Sequence, residues 1–288
     1  MVGNEELRSW LAEQVRARVV GPDAAERHAE IHTADGDRWF AEGSPIQRVH
    51  ADSSMFVGGL RALLLQSLHP LAMAGVADHS DYRNDPWGRL QRTARFLGAT
   101  TFGTVEQAQQ AVDRVHAVHE HVVGTAPDGR AYAANDPHLL RWVHLAEVDS
   151  FLSAYRRHGA ESLSQGDADE YVRQMAVIAR ALGVPAPPES EQSLRDQLRS
   201  YRGELRGSRA ARDVARYLLW QPPMPPAARA PYGVLAASAV ALLPRSARRP
   251  LRLPWFPVTE ALAVRPAGEV VTRALRWALQ PPPDAALG

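Results

Sequence analysis

The stretch Ser53-Ser-Met-Phe-Val-Gly-Gly-Leu-Arg-Ala-Leu-Leu-Leu-Gln-Ser-Leu68 decides the fold class. Met55, Phe56, Val57, Leu60, Leu63, Leu64, Leu65 and Leu68 are spread around nearly the whole circumference of a helix. A helix without a polar face is buried on most sides. Gly58 and Gly59 within it permit close approach of a second helix. His69-Pro70 follows, and Pro70 disfavours helical geometry at His69, so a kink or break is expected there.

Outward from this stretch, strand signals are sparse and three- and four-residue apolar steps are common. Leu7, Trp10, Leu11, Val15 and Val19 predict a first helix, stopped by Gly21-Pro22. Residues 23–48 are mixed, broken by Gly36, Gly43 and Pro45, with Ser44 as cap of a short helix opened by Pro45. Asp85-Pro86 opens a helix through Arg89, Arg92 and Leu97 to Gly98. Thr104, with Gln107 three residues on, opens another that runs to about Val123 and is closed by Gly124. Pro127-Asp128-Gly129 is a turn. Asp136-Pro137 starts the next helix, through Leu140, Trp142, Val143 and Phe151 to Tyr155. Beyond Gly159, Glu170–Leu182 and Glu191–Leu205 read as surface-facing amphipathic helices. Gln221–Pro231 carries five prolines in eleven residues and reads as an extended connector. The tail Gln280–Gly288 reads as frayed. No internal repeat is present. The expectation is an all-α fold in one domain over residues 1–288, with a core of about 48–159 and a C-terminal helical wrap of about 160–280.

Composition narrows the chemistry. The chain has 288 residues and is 45% hydrophobic, enough to bury a sizeable core. The net charge of +1 argues against a nucleic-acid partner held by phosphate neutralisation. All 33 basic residues are arginine, so no lysine can form a Schiff base, ligate a metal or serve a P-loop. With no cysteine, disulfides, zinc–thiolate sites, iron–sulfur clusters and thiolate-ligated haem are excluded. The start MVGNEELRSW lacks the apolar region of a signal peptide. The longest apolar run, Val234 to Leu243, is too short to span a bilayer, which takes about 20 residues. These features predict a cytoplasmic protein without a transmembrane segment.

Most of the 11 histidines lie between His69 and His144. The tightest group is His116-Ala-Val-His119-Glu-His121. On a helix His116 and His119 share a face, and His121 points to roughly the opposite side. Val112, Val115 and Val122 put His119 on the apolar stripe. That position suits a satisfied core histidine, and it equally suits a neutral imidazole whose ring nitrogen binds a metal. Arg89, Arg92 and Thr93 also share a helical face. They form either a solvated surface or a buried charged cluster that neutralises a carboxylate or propionate, or donates hydrogen bonds to dioxygen. No nucleophile elbow, zinc-protease, P-loop or dinucleotide-binding motif is present. Asp78, His79 and Asp81 hint at a metal-dependent phosphohydrolase, but no matching acidic ligand set accompanies them.

From Arg48 to Gly159 an ordered series of pieces resembles the MpaB/rubber-oxygenase family. The pieces are Gly58–Gln66 with His69-Pro70, Gly75-Val76 with His79-Ser80, and Asp85-Pro-Trp-Gly-Arg89 with Arg92-Thr93. Phe102-Gly103-Thr104, His119-x-x-Val122-x-Gly124 and Asp136-Pro-His-Leu-Leu-Arg-Trp-Val-His144 complete it. The resemblance covers about two-fifths of the chain. It implies an all-helical protein that binds b-type haem, with His119 as the proximal ligand of the iron. In rubber oxygenases the distal helix carries Arg-x-x-Lys-Thr, matched here by Arg89, Arg92 and Thr93. Arg92 thus stands in the lysine position, and a guanidinium stays protonated where an amine can ligate iron.

The expected function is a haem b-dependent oxygenase or oxidoreductase that uses dioxygen on an apolar organic substrate. His119 would bind the metal, Arg89, Arg92 and Thr93 would form the distal wall, and His116 and His144 would touch the cofactor or pocket. The Leu60–Leu68 helix would supply its dry side. The alternatives are a haem-binding sensor or carrier without turnover, and a helical interaction protein that lacks haem.

Overall fold

The computed structural model describes residues 4–19, 21 and 23–279. Its helices are α1 (Asn4–Val19), α2 (Ala24–Thr33), α3 (Pro45–Ala51), α4 (Met55–Gln66), α5 (Pro70–His79), α6 (Pro86–Phe102) and α7 (Val105–Glu120). A two-stranded ribbon, β1 (Val123–Thr125) and β2 (Ala131–Ala133), leads into α8 (Pro137–His158). Then come α9 (Gln165–Ala181), α10 (Glu191–Ser200) with a 3-10 turn at Tyr201–Gly203, α11 (Arg209–Trp220), α12 (Pro226–Leu242) and α13 (Arg245–Leu251). Last, α14 (Pro257–Thr259) passes through a π turn, Glu260–Val264, into α15 (Arg265–Leu279). The fold is all-α apart from the ribbon.

The decisive stretch forms α4, and none of its side chains is exposed. It packs along α8 on one side and α12 on another. Gly58 is what lets α8 approach: a Cβ there would lie 2.9 Å from Phe151 Cδ1 and 3.2 Å from Phe151 Cα. Gly59 faces open space instead. The expected break is present, with α4 and α5 bent by 107°. His69 is extended and caps α5, its Nδ1 accepting the Ala72 N–H at 3.5 Å. Ile46, Leu64, Leu68, Trp142, Leu145, Tyr171 and Met175 fill the core between α3, α4, α8 and α9. Truncating one such leucine to alanine costs about 2–5 kcal/mol.

Several boundaries differ from the expectations. Residues 24–33 are helical, because Ala24, Ala25 and Ala29 are strong helix formers even without a clear apolar period. α6 runs past Gly98 to Phe102. An interior glycine costs only about 1 kcal/mol, and here a Cβ would come within 3.7 Å of Ile31, so α2 lies close. α7 has the expected capping box between Thr104 and Gln107, yet it ends at Glu120. Gly124 does not close it: it pairs with Tyr132 in the ribbon, and the Pro127–Gly129 turn is the ribbon's tip. The proline-rich connector is shorter than expected, since α12 begins at Pro226 and holds Pro231 inside it. Burial of Leu235, Ala236, Ala239 and Val240 further along α12 offsets the lost backbone bond. α9 is less surface-facing than expected. It starts at Gln165, capped by the Ser164 hydroxyl, and sends Tyr171, Val172, Met175 and Ile178 into the core. The side chains of Leu7, Trp10 and Leu11 and the tail 280–288 lie outside the described residues. No single helix among the described residues is long and apolar enough to cross a membrane.

Candidate functional site

α6 and α7 are two arms that meet at Gly103–Thr104 and pack on each other. Arg89 and His119 lie fifteen residues before and after Thr104. At the rise of an α-helix, each is about 22 Å along its own arm. The chain between α7 and α8 folds back as the ribbon, whose base is closed by the Ala134 N–H donating to Val122 O at 2.9 Å. Gly124 makes the ribbon possible, since a Cβ there would sit 2.5 Å from the Tyr132 hydroxyl oxygen.

The last turn of α5 ties the ribbon to α6. Tyr132 donates its hydroxyl proton to Asp78 Oδ2 at 2.6 Å. His79 Nε2 lies 3.1 Å from both Val123 O and the Tyr132 hydroxyl. The next residue, Ser80, accepts from Arg89 Nη1 at 2.7 Å. Asp78 and His79 therefore brace the ribbon that follows His119, and no metal ligand set forms around them among the described residues.

His119 is partly buried near the end of α7. Its Nδ1 is buried with no hydrogen-bond partner among the described residues. Burial lowers its pKa, the Asn135 side chain pulls the other way, and the neighbouring His116 lowers it further. The net lowering favours the uncharged imidazole, the form that binds metals. His116 lies one turn earlier and is engaged elsewhere, its Nε2 3.3 Å from Ala181 O at the end of α9. His144 is buried within α8, where desolvation pushes its pKa down to about 4, and its Nε2 has no partner among the described residues.

The three residues of the Arg-x-x-Arg-Thr face are not equivalent. Arg89 is mostly desolvated, which together with the like charge of Arg92 lowers its pKa. A guanidinium nevertheless keeps its charge in a protein. Arg92 is 61% exposed and pairs with Asp85 at 3.1 Å. Thr93 is exposed, its hydroxyl donating to Arg89 O at 3.2 Å. The apolar side chains of α4, expected along a pocket, are taken up by α8 and α12.

A second polar cluster joins parts of the chain that sequence reasoning did not connect. His69 Nε2 and His138 Nε2 lie 3.2 and 2.8 Å from the same Glu204 carboxylate oxygen. All three ligand-type atoms fall within 4.8 Å of one another, a spacing that suits a metal ion. The tautomer of His69 argues for hydrogen bonds instead. Its Nδ1 accepts a backbone N–H, so its proton sits on Nε2 and points at Glu204. Burial works against ionisation of Glu204, but the bonds from His138 and His69 hold its carboxyl below the usual range. Tyr201 stacks on His138 at 4.6 Å and donates to His138 O at 2.9 Å. The cluster is a clasp between α5, α8 and the 3-10 turn.

Other polar groups were also missed by sequence reasoning. Tyr132 lies in, and Asn135 just beyond, a three-residue strand too short to give a period. His50, half-buried and pushed down to about 3 by desolvation, bridges Thr101 Oγ1 at 2.8 Å and the Tyr171 hydroxyl at 3.3 Å. Burial pushes Glu147, one turn after His144, up to about 7. The His144-x-x-Glu147 spacing was the only signal for that acid.

No curated protein and no solved structure matches the chain significantly. The family described as ER-bound oxygenase mpaB/B'/Rubber oxygenase, catalytic domain, matches residues 47–279, the part that holds α4, the α6–α7 arms, the ribbon and α8, and the chain therefore belongs to that oxygenase family.

Proposed function

We propose that this chain is a haem b-dependent oxygenase that uses dioxygen on an apolar organic substrate, with His119 as the residue that would hold the iron. The observation that carries the reading is His119 itself: a desolvated imidazole whose pKa burial lowers, favouring the uncharged form that ligates metals, near the end of the helix preceding the His-x-x-Val-x-Gly ribbon. When bound, haem b supplies the redox chemistry on dioxygen; the protein supplies ligation, charge and access.

In this reading Arg89 is the principal distal cation. It is desolvated, held by Ser80 and charged at every working pH, so it would pair with a propionate or donate hydrogen bonds to dioxygen. Arg92 and Thr93 complete the distal face. Arg92 cannot replace a ligating lysine, because its guanidinium does not deprotonate. Its pairing with Asp85 at the surface also favours a second reading, a haem-binding sensor or carrier without turnover. His116 and His144 stand next as pocket contacts.

The test is an absorption spectrum of protein expressed with adequate haem, with and without dithionite and carbon monoxide. A Soret band that His119→Ala abolishes is expected. A band unchanged in the mutant moves the ligand to His116 or His144, and protein without any band ends the haem reading. Oxygen consumption with candidate alkenes or polyketides separates oxygenase from carrier.

A further inference from the structure

Two buried polar atoms of complementary kind lie without partners beside the end of α7: His119 Nδ1 and Asn135 Oδ1. Each such atom costs about 1–3 kcal/mol when left unsatisfied. The backbone fixes why they are neighbours. The Val122 N–H donates to His119 O at 3.0 Å, and Ala134 closes on Val122, so residue 135 returns to the last turns of α7. Asn135 Nδ2 then donates to His116 O at 3.3 Å, which sets the amide's orientation. With the NH2 group anchored one turn before His119, the carboxamide oxygen is the end left for the His119 ring.

We infer that Asn135 is the positioning residue of His119: its carboxamide oxygen takes the Nδ1–H hydrogen bond, fixing the tautomer that leaves the Nε2 lone pair free for a metal. The inference rests on the haem reading for its purpose, but the hydrogen bond stands or falls without it. A histidine ligand held this way is a stronger base and keeps one ring orientation. The bond also explains the spacing from His119 to Asn135. The ribbon, with Gly124 admitting Tyr132 and α5 bracing it, is the device that returns an amide oxygen to the histidine.

The tests use the full chain. In haem-free protein, long-range proton–nitrogen correlation spectra of the His119 ring at neutral pH report the tautomer. The proton is expected on Nδ1; a proton on Nε2 overturns the inference. In haem-loaded protein, Asn135→Leu removes the acceptor and Asn135→Asp strengthens it. Both lose the anchoring bond to His116 O, so a purely structural role moves them together. The positioning role moves them apart. Asn135→Asp should raise the ferrous iron–histidine stretching frequency and lower the reduction potential. Asn135→Leu should do the reverse and weaken hemin binding roughly 10–100-fold. Stretching frequencies that are unchanged, or that shift the same way in both variants, overturn the proposal. Wild-type protein that takes up no hemin defeats the haem reading alone, and the haem-free tautomer then decides the Asn135 contact.

Discussion

Arg61 and His119 are both polar side chains drawn into a helical interior, and their surroundings are built differently. Arg61 is 4% exposed, and each of its guanidinium nitrogens has a partner: Leu242 O at 3.1 Å, Ser150 Oγ at 2.7 Å and Asp149 Oδ2 at 2.6 Å. Arg248 repeats the pattern, bonding Leu243 O, Ala241 O and Glu260 while lying over the Trp255 ring at 4.3 Å. Around the end of α7 and along α8 the situation reverses. His119 Nδ1, Asn135 Oδ1 and His144 Nε2 are buried without partners among the described residues. A buried charge that is fully paired locks helices together, whereas a buried neutral group left unpaired costs stability. The first region is a brace held by paired charge, and the second holds neutral groups, with His119 and Asn135 left for each other in the proposed contact.

The largest expected effect tests the brace. Arg61→Met strips partners from Asp149, Ser150 and Leu242 O, and should cost about 3–5 kcal/mol in denaturant unfolding. Adding Asp149→Leu should recover much of that loss, because no lone charge remains. A single mutant within about 1 kcal/mol of wild type would dissolve the contrast between the two regions.

A smaller effect sharpens the other side and depends on pH. Folding raises the Glu147 pKa from 4.5 to about 7 through burial, so the folded chain keeps a proton that the unfolded chain releases. Its stabilising contribution is whole below pH 4.5 and is lost as pH rises through 7. Glu147→Gln should therefore match wild type near pH 4.5 and exceed it at pH 8, by at most about 3 kcal/mol. His50 and His144 act with the opposite sign. Burial lowers them from 6.5 to about 3 and about 4, so their contribution is present above 6.5 and is lost as pH falls toward those values. Unfolding free energies at pH 5 and pH 8 check both signs. An equal offset of the Gln variant at both pH values would mean that Glu147 is not the titrating group.

The smallest effect concerns the ribbon. Gly124→Ala forces a Cβ onto the Tyr132 hydroxyl, which is held by Asp78, so the ribbon has to shift. The expected loss is about 1–3 kcal/mol. If the ribbon serves His119, hemin binding should fall more than global stability does. Equal losses would make the ribbon a structural element only.

The helices were legible because each carried a local signal. The all-round apolar run gave α4, Pro70 gave its break, and the Asp85-Pro86, Thr104–Gln107 and Asp136-Pro137 caps gave α6, α7 and α8 their starts. Gly58 could be read as a packing glycine, though only Phe151 shows which of the two glycines does that work. The ribbon was not legible, because three-residue strands have no measurable period and its glycine reads equally well as a helix stop. The prolines of α12 misled for the same kind of reason. A local breaker signal gave way to burial farther along the chain.

By itself the sequence determined the all-α class, the starts of the main helices, the exclusion of thiolate and lysine chemistry, and His119 as a residue worth attention. Those properties are set by side-chain type and by spacings of three or four residues, which a linear text records. That Arg89 is desolvated while Arg92, one turn on, pairs with Asp85 at the surface follows from how the helices pack. That packing alone joined His69, His138 and Glu204, and brought Asn135 back to α7. Hydrogen-bond satisfaction and desolvation depend on contacts between distant parts of the chain, and those contacts exist only once the helices have packed.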